Sequence, residues 1–270
     1  MFSIPRTVPA LLTLALAAVP AQAQLPMEIV VNIPAGRLDV LEGGERIRSY
    51  PVSVGTSGHA TPTGQAGIQR MVWNPSWTPP DSEWARDERP AAPGPNNPMG
   101  RVKMHLFQDY YVHGTPARNE RFLGRPASHG CIRMRNADVM ELARLVLRAD
   151  GVPVSDETLQ GLIDNPRRTR EMRLNGRVRV RIEYRLAEVE ADSVTLNPDV
   201  YGRAGGTRYA EHVRQELRTL GADPALVEQA AITRAPTAAV RLARYVVPPI
   251  VPVTLPAAAG QPAFGDIALR

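Results

Sequence analysis

The stretch from Tyr110 to Met134, YYVHGTPARNERFLGRPASHGCIRM, gathers the residue types that an acyl-transfer centre needs. It contains Cys131, the single cysteine of the chain, and His113 and His129, two of its five histidines. Thiolate is the nucleophilic form of cysteine, and a free thiol is mostly protonated near neutral pH, so a base or cation must stand beside it. His129 is two residues from the thiol, and so short a tether makes an aligned sulfur–nitrogen contact awkward. His113 lies 18 positions upstream on a separate segment and can be placed freely. It is the candidate proton donor and acceptor. An imidazole in that role needs a second partner to fix its tautomer. No aspartate follows His113 closely, so the backbone carbonyl of Gly114 is the simplest choice.

The same chemistry asks for an oxyanion hole. Backbone N–H groups of His129, Gly130 and Cys131 lie in one loop and can converge on one point, with Gly130 permitting unusual φ/ψ values. Ser128 has no base dedicated to it and is expected to brace that loop. Arg133 has two readings of equal weight, a partner for a substrate carboxylate or a structural salt bridge to a residue such as Asp138. Tyr111 shares a strand and phase with His113; core packing or lining of a substrate groove are its two readings. A zinc site from His113, His129, Cys131 and His105 would need His105 to point against its strand neighbours. The chain also has no H-E-x-x-H or C-x-x-C pair, so neither metal nor cofactor is expected. His59 and His212 look isolated, with ordinary surface or loop roles.

The elements that must position these groups are mainly strands. Glu28–Pro34, Arg37–Leu41 and Arg46–Val54 are apolar or alternating and are separated by Ala35-Gly36 and Gly43-Gly44, which predicts a β-meander. Tyr50, Val52 and Val54 share a face, whereas Ile47 is out of phase and Pro51 suits an edge or bulge. Gly55–Gly67 is expected to be a loop, Ile68–Trp73 a strand, and Asn74–Gly100 a long loop carrying Trp77 and Trp84. Tryptophans argue against disorder, and a loop of this length is either a substrate-shaping lid or a surface excursion. Lys103–Phe107 and Tyr110–His113 read as strands, the second ending at His113. Ala137–Leu147 has helical apolar spacing with Asn136 as its N-cap, and Ser155 caps a short helix over Glu157–Ile163. Arg177–Leu186 alternates as a half-exposed strand with Val194–Tyr201 as its partner. Tyr209–Leu220 and Pro224–Ile232 are expected helices, and Pro248–Arg270 is rich in proline and alanine. The class is mainly β, or α+β.

Composition bounds the setting. The formal net charge is +5, and Lys103 is the one lysine among 32 basic residues. A basic surface suits an anionic partner. The basic residues are scattered in sequence with no lysine-rich or aromatic-interleaved patch, so nucleic acid is not the expected partner. At the N-terminus, Arg6, the short apolar run Val8–Val19 and Ala21-Gln22-Ala23 have the form of a secretion signal with an A-x-A cleavage site. This predicts a signal peptide over 1–23, export to the periplasm or cell envelope, and no transmembrane anchor after cleavage. A lone cysteine outside the cytoplasm is an inert buried residue, an intermolecular linker or a reactive thiol. Glycine and histidine neighbours do not make an apolar packing site, which favours the reactive thiol.

The motif His113-Gly114, a gap of 13 residues, then Ser128-His129-Gly130-Cys131-Ile132-Arg133-Met134 strongly resembles the signature of the L,D-transpeptidase catalytic domain, the YkuD fold. VNIPAGRLDV, PVSVG, TPTG and the GPNNPMG segment before YYVHGT agree with it. The resemblance covers about residues 27–155 and, more loosely, the RIEYRL and LNPDVYG segments up to about Tyr201. It implies a YkuD-like β-sandwich catalytic domain, expected over 24–202, while the change in composition at Gly202 and the proline-rich end mark 203–270 as a partly helical, accessory C-terminal extension. It further implies that Cys131 attacks the bond before the terminal D-alanine of a peptidoglycan tetrapeptide stem and forms a thioester. The acyl group then passes to an amine, on another stem in a 3→3 cross-link or on a lysine of an envelope lipoprotein. By the same resemblance His113 moves the protons, His129 and Gly130 belong to the oxyanion loop, and a carbapenem mimics the acyl donor. Some members have asparagine where this chain has Arg133. Two rival readings are a hydrolase of the same bonds and an inactive wall-binding module, which the intact His113/Cys131 pair opposes.

Overall fold

The computed structural model describes residues 26–190, 193–205, 208–222, 236 and 240–242. The N-terminal export signature, the helix expected over Pro224–Ile232 and the Pro248–Arg270 segment lie outside the described residues. The strands are β1 (Met27–Asn32), β2 (Arg37–Glu42), β3 (Glu45–Pro51), β4 (Val54–Gly55), β5 (Gly64–Gly67), β6 (Arg70–Trp73), β7 (Val102–Phe107) and β8 (Tyr110–Thr115). They continue as β9 (Pro126–Ser128), β10 (Ile132–Arg135), β11 (Arg170–Arg173), β12 (Arg179–Glu183), β13 (Ala187–Glu190), β14 (Ser193–Leu196) and β15 (Val240–Leu242). The helices are α1 (Asn136–Asp150), α2 (Asp156–Asp164) and α3 (Tyr209–Thr219).

Two five-stranded sheets, ordered β3-β2-β1-β12-β5 and β10-β8-β7-β6-β11, form the main body. Their inward residues share one core: Ile29, Val31, Leu38, Val40, Val180 and Ile182 from the first sheet, and Met71, Met104, Val112, Ile132 and Met134 from the second. α1 contributes Val139, Leu142, Ala143 and Val146 to the same core. The mainly β class expected from the alternating segments, and the sandwich that the resemblance implies, are what the chain adopts. β1 carries a continuous apolar run because its residues are buried on both faces, as suits a central strand. Its meander partners follow as expected, and the phase break at Ile47 is a bulge: the register passes from Val40↔Arg48 to Leu41↔Arg46 and skips one residue. Pro51 ends β3, an edge strand, where a missing N–H is tolerated.

Four expectations need correction. Gly64–Gly67 is a strand, not loop, and pairs antiparallel with β12. Its sequence GQAG has no β-forming side chain, and the pairing uses backbone alone on a sheet edge. β12 lies between β1 and β5, so Val194–Tyr201 is not its partner; β14 pairs instead with β13. The strand through His113 runs on to Thr115, held by β10 in parallel. Asn136 is the first residue of α1, not its cap, because its side chain is used elsewhere. Ser155 does cap α2, accepting the Thr158 N–H.

A second core lies beside the first. Leu186, Ala187, Val194 and Leu196 pack with Ala204, Tyr209, Ala210, Val213 and Leu217. The boundary expected at residue 202 therefore runs through one apolar cluster. The Glu216 side chain of α3 also accepts the N–H groups of Leu186 (2.8 Å) and Ala187 (2.7 Å).

Candidate active site

β8 is the strand on which the site is built. Its neighbours stand in register with His113: Lys103 on β7 to one side and Arg133 on β10 to the other. His113 is 3% exposed, and its Nδ1 lies 2.6 Å from Gly114 O, the partner expected from the sequence. With that carbonyl accepting Nδ1–H, Nε2 is left with its lone pair free. Gly114 can be nothing larger, since a Cβ there would collide with Asn136 Oδ1. That oxygen accepts the Arg101 N–H (2.9 Å), while Asn136 Nδ2 donates to Thr115 O (3.0 Å). The end of the GPNNPMG loop is thus fastened to the strand end that carries the imidazole.

The thiol loop is pinned from inside. Ser128 Oγ donates to Cys131 O (2.6 Å) and accepts the Gly130 N–H (3.1 Å), the bracing role expected of it. Gly130 has φ +111, and a Cβ there would sit 2.7 Å from Tyr110 Cε1, so neither the conformation nor the space admits a side chain. Because its N–H is committed to Ser128, Gly130 is not a free oxyanion donor in this state. Among the described hydrogen bonds, the N–H groups of His129 and Cys131 have no acceptor.

Two supports escaped the sequence reading. Thr61 Oγ1 donates to Gly130 O (2.7 Å) and accepts the Gly55 N–H (2.9 Å). Tyr201 Oη accepts the Thr61 N–H (3.1 Å) and donates to Gly55 O (2.8 Å). Resemblance of the TPTG and LNPDVYG segments was the only signal for them, and the physical cause is tertiary. His59 is a third omission. It is not isolated: its ring meets the His129 ring edge-on at 4.7 Å, and Trp84 stacks on the other ring at 4.1 Å and 5°. The long loop therefore reaches the thiol loop through Trp84, and its base is ordered by paired Trp77–Ala91 hydrogen bonds and by Asn97 Nδ2 donating to Pro75, Ala91 and Ala92 carbonyls.

Arg133 does not pair with Asp138; Arg135 does (3.5 Å). Arg133 Nη1 donates to Ala127 O (3.1 Å). Tyr111 is half-buried on the outer face, where its ring packs edge-on to His105 at 5.3 Å and lies 5.4 Å from Lys103 Nζ. That placement is outside the core, so the core-packing reading does not hold. His105 Nε2 is engaged by Gln108 O at 2.8 Å.

The electrostatics set a neutral resting pair. Burial, with the Arg133 charge adding to it, pushes the His113 imidazole down to about 3, against the opposing Gly114 hydrogen bond. Burial raises the Cys131 thiol, while a Tyr111 backbone hydrogen bond and the Arg133 and Lys103 charges pull it back. The thiol itself donates to Asp109 O (3.5 Å); among the described hydrogen bonds none joins it to His113, as is common before substrate binds. Alkylation of Cys131 by iodoacetamide, read by intact mass, should therefore accelerate throughout the alkaline range. Arg133→Met should shift that profile further alkaline, because it removes a cation facing the sulfur. A rate already flat from mildly acidic pH would mean that the pair rests as thiolate and imidazolium.

A mainly β sandwich with a free thiol at the entrance to β10, the strand paired with that of a carbonyl-tethered histidine, is the class that this architecture defines. Comparison gives the family. The YkuD family model, the L,D-transpeptidase catalytic domain, matches residues 26–155. A region of 132 residues is 30% identical to the YkuD protein of Bacillus subtilis (strain 168), itself provisionally named an L,D-transpeptidase, covering 48% of this chain and 67% of that protein. Another of 107 residues is 42% identical to a provisionally named L,D-transpeptidase of Fuscovulum blasticum, covering 38% of this chain and 55% of that protein. YbiS of Escherichia coli (strain K12), named a probable L,D-transpeptidase, is 28% identical over 203 residues, 66% of this chain and 65% of that protein. The chain belongs to the L,D-transpeptidase catalytic domain family. It spans between about half and two thirds of the length of these relatives. Among the described residues, no helix is long and apolar enough to cross a membrane.

Proposed function

We propose that the protein is an exported cysteine L,D-transpeptidase that acts on peptidoglycan stem peptides. The observation that supports this reading is that Cys131 ends a loop pinned by Ser128 and leads into β10, the strand paired with that of His113, whose Nδ1–H is held by Gly114 O. Nε2 takes the thiol proton as sulfur attacks the carbonyl preceding the terminal D-alanine. The oxyanion that forms is met by the N–H groups of Cys131 and His129. Collapse breaks the C–N bond, His113 returns the proton to the departing amine, and a thioester remains. An acceptor amine then attacks the thioester, gives its proton to His113, and an amide bond replaces the C–S bond. Arg133 and Lys103, on the strands that flank His113, favour the thiolate that develops as the proton leaves. The acceptor is a diamino acid side chain of a second stem or a lysine of an envelope lipoprotein, and the export signature at Arg6–Ala23 delivers the enzyme to the envelope. The catalytic unit in this reading extends past residue 155 to Tyr201, which buttresses the thiol loop through Thr61.

Incubation of the mature protein with purified muropeptides, followed by mass spectrometry, should yield cross-linked dimers and free D-alanine. Shortened stems without dimers would make it a hydrolase, and unchanged stems would make it a binder. Intact mass of the protein recovered from the envelope should begin near Gln24; a retained Met1 in the cytoplasm would remove the export reading.

A further inference from the structure

The outer face of the β10-β8-β7-β6-β11 sheet carries more than the imidazole. Met104, Val112, Ile132, Met134 and Met172 point into the core, so the residues alternating with them share the opposite face. One row across that face runs Arg133, His113, Lys103, Val72, Glu171 in cross-strand register. The next row holds Tyr111, His105, Arg70 and Arg173. Cations scattered in the sequence are thus gathered around His113, with Glu171 at the far edge as the acid of this row.

Lys103 is the distinctive member. In a chain that otherwise uses arginine for every basic position, its single lysine is the direct cross-strand neighbour of His113. The ammonium lies 5.4 Å from the centre of the Tyr111 ring, and no salt bridge engages it among the described residues. Burial and the nearby Arg70 charge disfavour its charged form, Glu171 offsets this through space, and the Cys131 sulfur is close enough to act on it. A half-buried ammonium without a paired carboxylate is costly to hold, and an incoming anion relieves that cost.

We propose that Lys103 holds the terminal carboxylate of the acyl-donor peptide, the one carried by the amino acid that departs. This rests on the function proposed above. His113 must deliver its proton to the departing amine nitrogen, and the carboxylate of the same amino acid is one carbon removed from that nitrogen. Adjacent strands are about 4.8 Å apart, so an amine at His113 sets this carboxylate beside the neighbouring strand. Arg133, on the other flank, already donates to Ala127 O. Lys103 would thereby make the enzyme choose stems whose last residue is free, and reject ones that are amidated or extended there.

The test compares a tetrapeptide donor with its C-terminal carboxamide on the full mature chain. The wild type should favour the free carboxylate through KM by about tenfold or more, the size expected of a charge-assisted hydrogen bond. Lys103→Met should raise KM for the carboxylate donor toward the amide value, so that the ratio between the two donors collapses, while the lost support for the thiolate slows both donors alike and cancels in that ratio; Lys103→Arg should restore part of the preference. Reductive methylation with ¹³C-formaldehyde labels the single lysine of the wild type directly. Its dimethylamine resonance should move, and its titration shift alkaline, with the carboxylate peptide and not with the carboxamide. Equal KM for both donors in the wild type, an undiminished preference in Lys103→Met, or a lysine signal indifferent to the carboxylate overturns the proposal while the transpeptidase reading stands. A wild type that neither binds nor converts either peptide overturns both.

Discussion

Cys131→Ala should lose acyl-enzyme formation altogether while melting within a few degrees of the wild type. The chemical part follows from there being no second thiol in the chain. The structural part follows from where the side chain sits. Cys131 is only partly buried, its loop is held by the backbone and by Ser128 and Thr61, and none of those hydrogen bonds uses the sulfur. Cys131→Ser should fail as well. The surroundings raise even a thiol, and a hydroxyl starts many powers of ten less acidic, so His113 could not ionise it in useful amounts. Replacing His113 with asparagine should lower the rate by about 10²–10⁴-fold, the usual contribution of a general base. A carbapenem, followed by intact-protein mass spectrometry, should add to the wild type and not to Cys131→Ala. An adduct on the alanine variant, or D-alanine exchange by it, would place the nucleophile elsewhere.

The thiol, the imidazole and its carbonyl partner could be found in the sequence because each depends on local chemistry: a lone cysteine in a glycine-bearing loop, and a histidine whose nearest acceptor is the next carbonyl. The strands could be found for a similar reason, since burial on one face writes a period of two into residues such as Val178, Val180 and Ile182. What escaped was set by pairing over long distances. GQAG shows no strand pattern, yet it completes a sheet because β12 offers it a backbone edge. His59 looked isolated because Trp84 and His129, which give it meaning, are far from it in sequence. Lys103 gains its place beside His113 only through the β7–β8 register, which the sequence does not state. Arg133 and Asp138 look paired by proximity along the chain, but Arg133 turns to Ala127 O on the sheet and the next arginine in phase with the helix takes the carboxylate.

Ending the chain after Gly202 should leave a protein that fails to fold or melts far below the full chain. From the sequence, the glycine-rich break and change in composition make everything after residue 202 look accessory. The packing contradicts that. Removal of α3 takes Tyr209, Val213 and Leu217, each fully buried, off Leu186, Val194 and Leu196. Burial of one such side chain contributes about 1.5–3 kcal/mol, so uncovering this cluster costs several times that, comparable with the roughly 5–15 kcal/mol of an entire domain. Polar losses add to it: the N–H groups of Leu186 and Ala187 lose the Glu216 side chain, and Asn197 O loses the Tyr209 hydroxyl at 2.6 Å. The damage would also travel toward the site. Asn32 on β1 grips the chain at Arg185, donating to its carbonyl (3.2 Å) and accepting its N–H (3.0 Å), so disorder at Leu186 begins one residue from the point where the chain is tied to β1. Glu216→Ala offers a milder version that retains the apolar face and deletes only the acceptor, and it should destabilise by about 1–3 kcal/mol for the two N–H groups stranded. Thermal melts of the three proteins decide the matter. A truncated chain that melts with the full one and still forms the acyl-enzyme would return residues beyond 202 to the accessory role that their composition suggests.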